Sequence, residues 1–167
     1  MLKNATNDEE KKYYLSMRAS DIIATLYRQT MFAEYELLTH ELVENGTPLS
    51  SDVLRKTYKD LLVKYFGPEM IFEDNSDIEG LRIPNFYSAF YVYKYATGIS
   101  CAMALADKVV NGTEKDKENY FTFLKSGGSR YPIEALKVAG VDISTKEPIE
   151  RALDKFKNIV DTLEKMM

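Results

Sequence analysis

One cysteine, one histidine and no tryptophan occur among the 167 residues. A lone cysteine excludes an internal disulfide framework and fits a reducing compartment, so a cytoplasmic setting is expected. Cys101 lies in the small-residue run SCAMALA and reads as a buried thiol, not a nucleophile. A lone histidine cannot build a His-rich metal centre, and any Ser-His-Asp or Cys-His arrangement would have to use His40. Basic character is lacking too. The formal charge is −4, whereas nucleic-acid binders usually present a basic face. No apolar run nears the roughly 18 residues of a membrane span. The opening MLKNATNDEEKK lacks the apolar core of a signal peptide. Neither nucleic acid nor membrane is expected as a partner.

Strand signals are equally scarce, with no apolar alternation beyond four residues, no repeat and no low-complexity tract. What remains is helical punctuation. Thr6 with Glu9 reads as a capping box. From there to Glu44 apolar residues recur at three and four, through Leu15, Ile22, Leu26, Phe32, Tyr35, Leu38 and Leu42. Such length predicts one long helix, or two with a bend near Ser20-Asp21. Asn45-Gly46 ends it. Ser50 or Ser51 caps a helix running to Phe66. Residues 67–83 read as a loop, with a short strand or turn at Met70-Ile71-Phe72. Pro84 suits the first turn of a helix to Val110. Thr113 with Asp116 opens a helix through Leu124, Pro132 starts another ending at Gly140, and Thr145 with Pro148 opens the last. The fold class is all-α, with residues 1–167 forming a single domain.

The stretch RIPNFYSAFYVYKYATG (82–98) holds six aromatic rings, four of them tyrosines. As a helix it would put Tyr87, Tyr91 and Tyr95 on one stripe, largely enclosed. A buried hydroxyl without a partner costs about 1–3 kcal/mol. The phenols are therefore either bonded inside a core or directed at a wet groove. His40-Glu41-Leu42-Val43-Glu44 imitates the zinc-protease pattern His-Glu-x-x-His, but Glu44 replaces the second imidazole. It reads as a polar helix end, and no metal ligand is assigned in this chain. Ser126-Gly127-Gly128-Ser129 is either a place where backbone approaches a ligand or a plain turn between helices.

Four stretches in this order resemble the C-terminal part of oligoendopeptidase F, a zinc metallopeptidase group of the thimet-oligopeptidase superfamily. They are YRQTMFAEYELLTHELVENG (27–46), RIPNFYSAFYVYKYATG (82–98), FLKSGGSRYPIEALKVAGVD (123–142) and EPIERAL (147–153). The resemblance implies a multi-helix array belonging to a channel that cleaves short peptides on zinc. It also implies that the zinc ligands, His-Glu-x-x-His and a later glutamate, would lie before residue 1. HELVE matches a non-catalytic helix of the group.

By the same resemblance, Tyr95 is the oxyanion donor, and Tyr87, Tyr91, Asn85, Gly127 and Gly128 bind substrate. Asn85 stands where the group has a histidine. An amide donates a hydrogen bond but carries no charge, which at such a position costs on the order of 2–4 kcal/mol of transition-state binding.

Three functional expectations follow from these readings. The chain is a segment of such a peptidase, without a cofactor of its own and inactive alone. Alternatively it is a non-catalytic helical module binding short peptides or a partner. Or it is one half of an enzyme completed by a separate upstream half bearing the zinc motif. Bare apolar surface should also drive self-association, through Leu15, Ile22 and Leu26 or through the aromatic helix.

Overall fold

The computed structural model describes residues 5–167, and among these every regular element is helical. The all-α expectation holds. The chain forms two compact units. One comprises residues up to Ile23 together with Thr97–Met167, and the other Ala24–Ala96.

Asn7, not Thr6, caps the first helix, α1 (Asp8–Ile22), by accepting the Glu10 N–H at 2.8 Å. Glu10 in turn accepts the Thr6 N–H at 2.8 Å. The expected Thr6–Glu9 box does not form, because Asn7 takes the cap and Glu10 reaches past it to Thr6. The irregularity expected near Ser20-Asp21 falls slightly later, as a π-helical stretch at Ile23–Tyr27. There the Thr30 hydroxyl donates to the Leu26 carbonyl at 2.7 Å, satisfying an acceptor in the widened turn. Leu15, Ile22 and Leu26 are buried, so the stripe expected to drive self-association is already covered.

In the Ala24–Ala96 unit, α2 (Arg28–Glu44) packs on α3 (Ser51–Phe66). Met31, Phe32, Tyr35, Tyr58, Leu61, Leu62 and Val92 form its core. Phe86 enters edge-on against Phe32, with centroids 5.8 Å apart. Residues 67–83 form no strand. Ile71 is 92% exposed, and Phe72 folds back onto Phe66. A 3₁₀ turn at Ser76–Leu81 lies along α3. Its Glu79 is paired with Arg28 and accepts the Tyr58 hydroxyl at 2.6 Å. Gly80 is required there, since a Cβ would stand 2.8 Å from the Tyr58 ring.

The helix expected from Pro84 to Val110 is broken. Pro84–Tyr87 is a separate 3₁₀ turn, and α4 (Tyr93–Asn111) starts only after residues 88–92. The break centres on Phe90, whose φ of 54° is left-handed. That conformation costs a residue with a Cβ roughly 1–2 kcal/mol. The aromatic stretch is not enclosed either, for Tyr87 is 88% exposed and Tyr93 and Phe90 are about half exposed.

In the other unit α1 packs on α7 (Glu147–Glu164), and α5 (Glu114–Ser126) on α6 (Pro132–Val138). Cys101, Ala104 and Leu105 of α4 meet Ala139 and Val141 in its core, which buries the thiol. The Thr113–Asp116 capping box forms reciprocally, as expected. Gly140 takes φ 79° beyond α6, the left-handed turn that glycine permits at a helix end.

Candidate functional site

The break before α4 decides the site's shape. In an unbroken helix Asn85 and Tyr95, ten residues apart, would be separated by about 15 Å along the axis. Instead the Asn85 side chain returns close enough to the Tyr95 hydroxyl to favour its ionised form. The Tyr95 hydroxyl donates to that of Tyr91 at 3.3 Å, with the rings 5.6 Å apart and inclined at 69°. Lys94 Nζ sits 4.1 Å from the centre of the Tyr91 ring, within reach of its π face.

Three of the residues singled out in the sequence thus converge in one unit. Tyr95 is 38% exposed, so the residue stands at the surface of this unit. Its contact with Tyr91 holds its pKa above the usual phenol value, while Asn85 and Lys94 pull the other way. The phenol is protonated at neutral pH and available as a donor. A separation of 3.3 Å is long for O–H···O, which prefers about 2.7–2.8 Å. Re-aiming the Tyr95 hydrogen at an incoming carbonyl therefore forfeits little.

Tyr87 stands apart from this pair. It lines a cleft of about 230 Å³ with Glu36, Thr39, His40, Leu81 and Phe86. Gly127 and Gly128 belong to the other unit, in the turn after α5. Gly127 adopts φ 52°, which favours glycine, whereas neither has a heavy atom within 4 Å of where a Cβ would sit.

One residue of the site escapes motif reasoning. Glu36 is 3% exposed and accepts the Phe90 N–H at 2.6 Å. Its only sequence signal is position. Phe32, Tyr35, Glu36 and Thr39 fall at i, i+3, i+4 and i+7, so a carboxylate interrupts the buried stripe of α2.

Zinc does not fit the side chains present. Nδ1 of His40 donates to the Glu36 carbonyl at 2.7 Å, and its ring lies on Phe90 with centroids 4.8 Å apart. No group of three or more His, Cys, Asp or Glu among the described residues is placed to hold a metal ion. The resemblance of HELVE to a zinc motif thus ends in a polar, largely exposed helix terminus.

Known proteins match this chain over nearly its whole length. The profile of Peptidase family M3 covers residues 1–155. An oligoendopeptidase F homolog of Borreliella burgdorferi is 43% identical over 99% of this chain and 28% of its own length. Oligopeptidase PepF of Bacillus subtilis is 40% identical over 100% of this chain and 25% of its own length. The crystal structure of oligoendopeptidase-F from Enterococcus faecium superposes with a TM-score of 0.93 at 38% identity, over 99% of this chain and 32% of that one. The chain therefore spans about a quarter to a third of the length of these relatives. By the profile match over residues 1–155, with the helical architecture in agreement, the chain belongs to peptidase family M3.

Proposed function

We propose that this segment is one wall of the substrate cleft of an oligoendopeptidase F-like peptidase, in which Tyr91 and Tyr95 bind the peptide backbone. The observation that carries the reading is the hydrogen bond from the Tyr95 hydroxyl to that of Tyr91, with the two rings packed edge to face. Two phenols at one point suit a peptide carbonyl, and suit its tetrahedral oxyanion better, because that oxygen bears more charge. Tyr95 is the oxyanion donor. Tyr91 supplies a second hydroxyl, and Asn85 orients Tyr95 by donating to its oxygen. Tyr87, on the neighbouring cleft, meets a more distant part of the same peptide. Gly127 and Gly128, taken by themselves in the other unit, leave backbone open to a substrate.

The catalytic zinc of a whole family member would be held by residues outside this segment. Short peptides are accordingly bound but not cut by these residues alone. Asn85 also favours a second reading, a non-catalytic peptide-binding module, since an amide cannot stabilise an oxyanion as an imidazolium does. The free thiol of Cys101, buried in the core, suits a cytoplasmic setting.

Fluorescence anisotropy with short fluorescein-labelled peptides tests this proposal. Tyr95→Phe and Tyr91→Phe should each weaken binding about 5- to 10-fold, as loss of one hydrogen bond of about 1–1.5 kcal/mol requires. Affinity unchanged in both variants would remove the tyrosines from the cleft. Zinc-dependent turnover of a quenched fluorogenic peptide by the purified chain would contradict the division of labour.

A further inference from the structure

Phe90 is where the aromatic stretch departs from the helix its sequence favours. It adopts φ 54°, a region that a residue bearing a Cβ occupies only when its surroundings impose it. Two contacts impose it, and both involve Glu36 of α2. The buried Glu36 carboxylate accepts the Phe90 N–H at 2.6 Å. The Glu36 carbonyl accepts Nδ1 of His40, whose ring lies against that of Phe90. On either side of Phe90 the chain is anchored in the core, by Phe86 before it and by the fully buried Val92 after it. The Tyr91 N–H closes the turn onto the Ser88 carbonyl at 3.1 Å.

We infer that Glu36 is a positioning residue for the tyrosine cluster: by accepting the Phe90 N–H it holds the turn that folds Asn85 back against Tyr95. Tyr91 and Tyr95, four residues apart, would be neighbours in a continuous helix as well. Asn85 would not. The contact that depends on the break is the one between Asn85 and Tyr95, and Glu36 is the side chain that fixes the break. The requirement is for an acceptor oxygen at that point, not for a charge. The functional consequence rests on the cluster being a peptide-binding wall, but the positioning itself does not.

The test uses the full chain labelled with ¹³C at tyrosine Cζ, with the Tyr95 resonance assigned by its loss in Tyr95→Phe. Its position and its titration with base are compared across variants, with Asn85→Ala as the reference for a lost Asn85–Tyr95 contact. Glu36→Gln, which keeps an acceptor oxygen, should leave the Tyr95 resonance as in the parent. Glu36→Ala should move it as Asn85→Ala does, and weaken fluorescein-peptide binding by the same factor. Adding Phe90→Gly to Glu36→Ala should return it towards the parent value, because glycine adopts positive φ without help. A purely structural role for Glu36 predicts no such rescue. An unmoved Tyr95 in Glu36→Ala, or a double variant that does not recover, overturns the inference. Should Glu36→Ala fail to fold, the double variant decides alone, by regaining or not regaining a folded chain with the parent Tyr95 signal. Movement of Tyr95 without loss of peptide affinity would uphold the positioning role and discard the peptide-binding reading.

Discussion

Glu79 takes donors from two helices, the Arg28 guanidinium of α2 and the Tyr58 hydroxyl of α3. Burial, followed by this bond, pushes the Tyr58 phenol far above its usual range. Tyr58→Phe removes one of the donors to Glu79 and should destabilise the chain by about 1–3 kcal/mol, read by urea unfolding. Gly80→Ala places a methyl against the rings of Tyr58 and Tyr35 and should cost ~1–3 kcal/mol by overpacking. An alanine variant as stable as the parent would contradict that close approach. Acid stability belongs to this scale as well. Lys64 and Tyr65 hold the Glu34 carboxyl below the ordinary glutamate value, and Arg55 does the same for Asp77. Each is more acidic folded than unfolded, so its contribution is complete above the unfolded values of about 4 and is lost as pH falls through the lower folded values. Glu34→Gln with Asp77→Asn should flatten the fall of stability in that acid window, measured by denaturant midpoints.

At the scale of elements, helix ends were the most legible feature of the sequence. Thr113 with Asp116, Ser50, Pro132 and Gly140 act through contacts within a few residues, so local chemistry fixes them. Thr113→Ala should lower stability by about 1 kcal/mol, seen as a lower thermal midpoint, through loss of the α5 cap. The break at 88–92 was illegible for the opposite reason. Nothing between Pro84 and Gly98 forbids a helix, and the decisive acceptor, Glu36, lies 54 residues earlier on α2. The 3₁₀ turn at Ser76–Leu81 was hidden likewise, since Arg28, Arg55 and Tyr58 hold it from other elements. In the site itself, the resemblance names Asn85, Tyr91 and Tyr95, and the four-residue spacing of the two tyrosines already pairs them; the return of Asn85 to Tyr95 is what the sequence does not show. A continuous helix would have kept Tyr87 in line with the pair, and it is not.

At the scale of the whole molecule, the chain shares the architecture of the matching part of a solved relative of which it covers 32%. No helix among the described residues is long and apolar enough to cross a membrane. Of the two routes to self-association expected from the sequence, the stripe of Leu15, Ile22 and Leu26 is buried, whereas Tyr87, Phe90 and Tyr93 of the aromatic stretch are exposed. We propose that self-association uses the aromatic stretch. Sedimentation should give a mass that rises with concentration, and Tyr87→Ser with Tyr93→Ser should lower it towards that of one chain. A single-chain mass for the parent at every concentration would contradict this. The peptide-binding wall is tested most directly by titrating the Cζ-labelled chain with a short peptide and following its tyrosines by NMR. The wall predicts that Tyr91 and Tyr95 shift together and saturate while the buried Tyr35 and Tyr58 stay in place. Saturable binding that leaves Tyr91 and Tyr95 unmoved would contradict it.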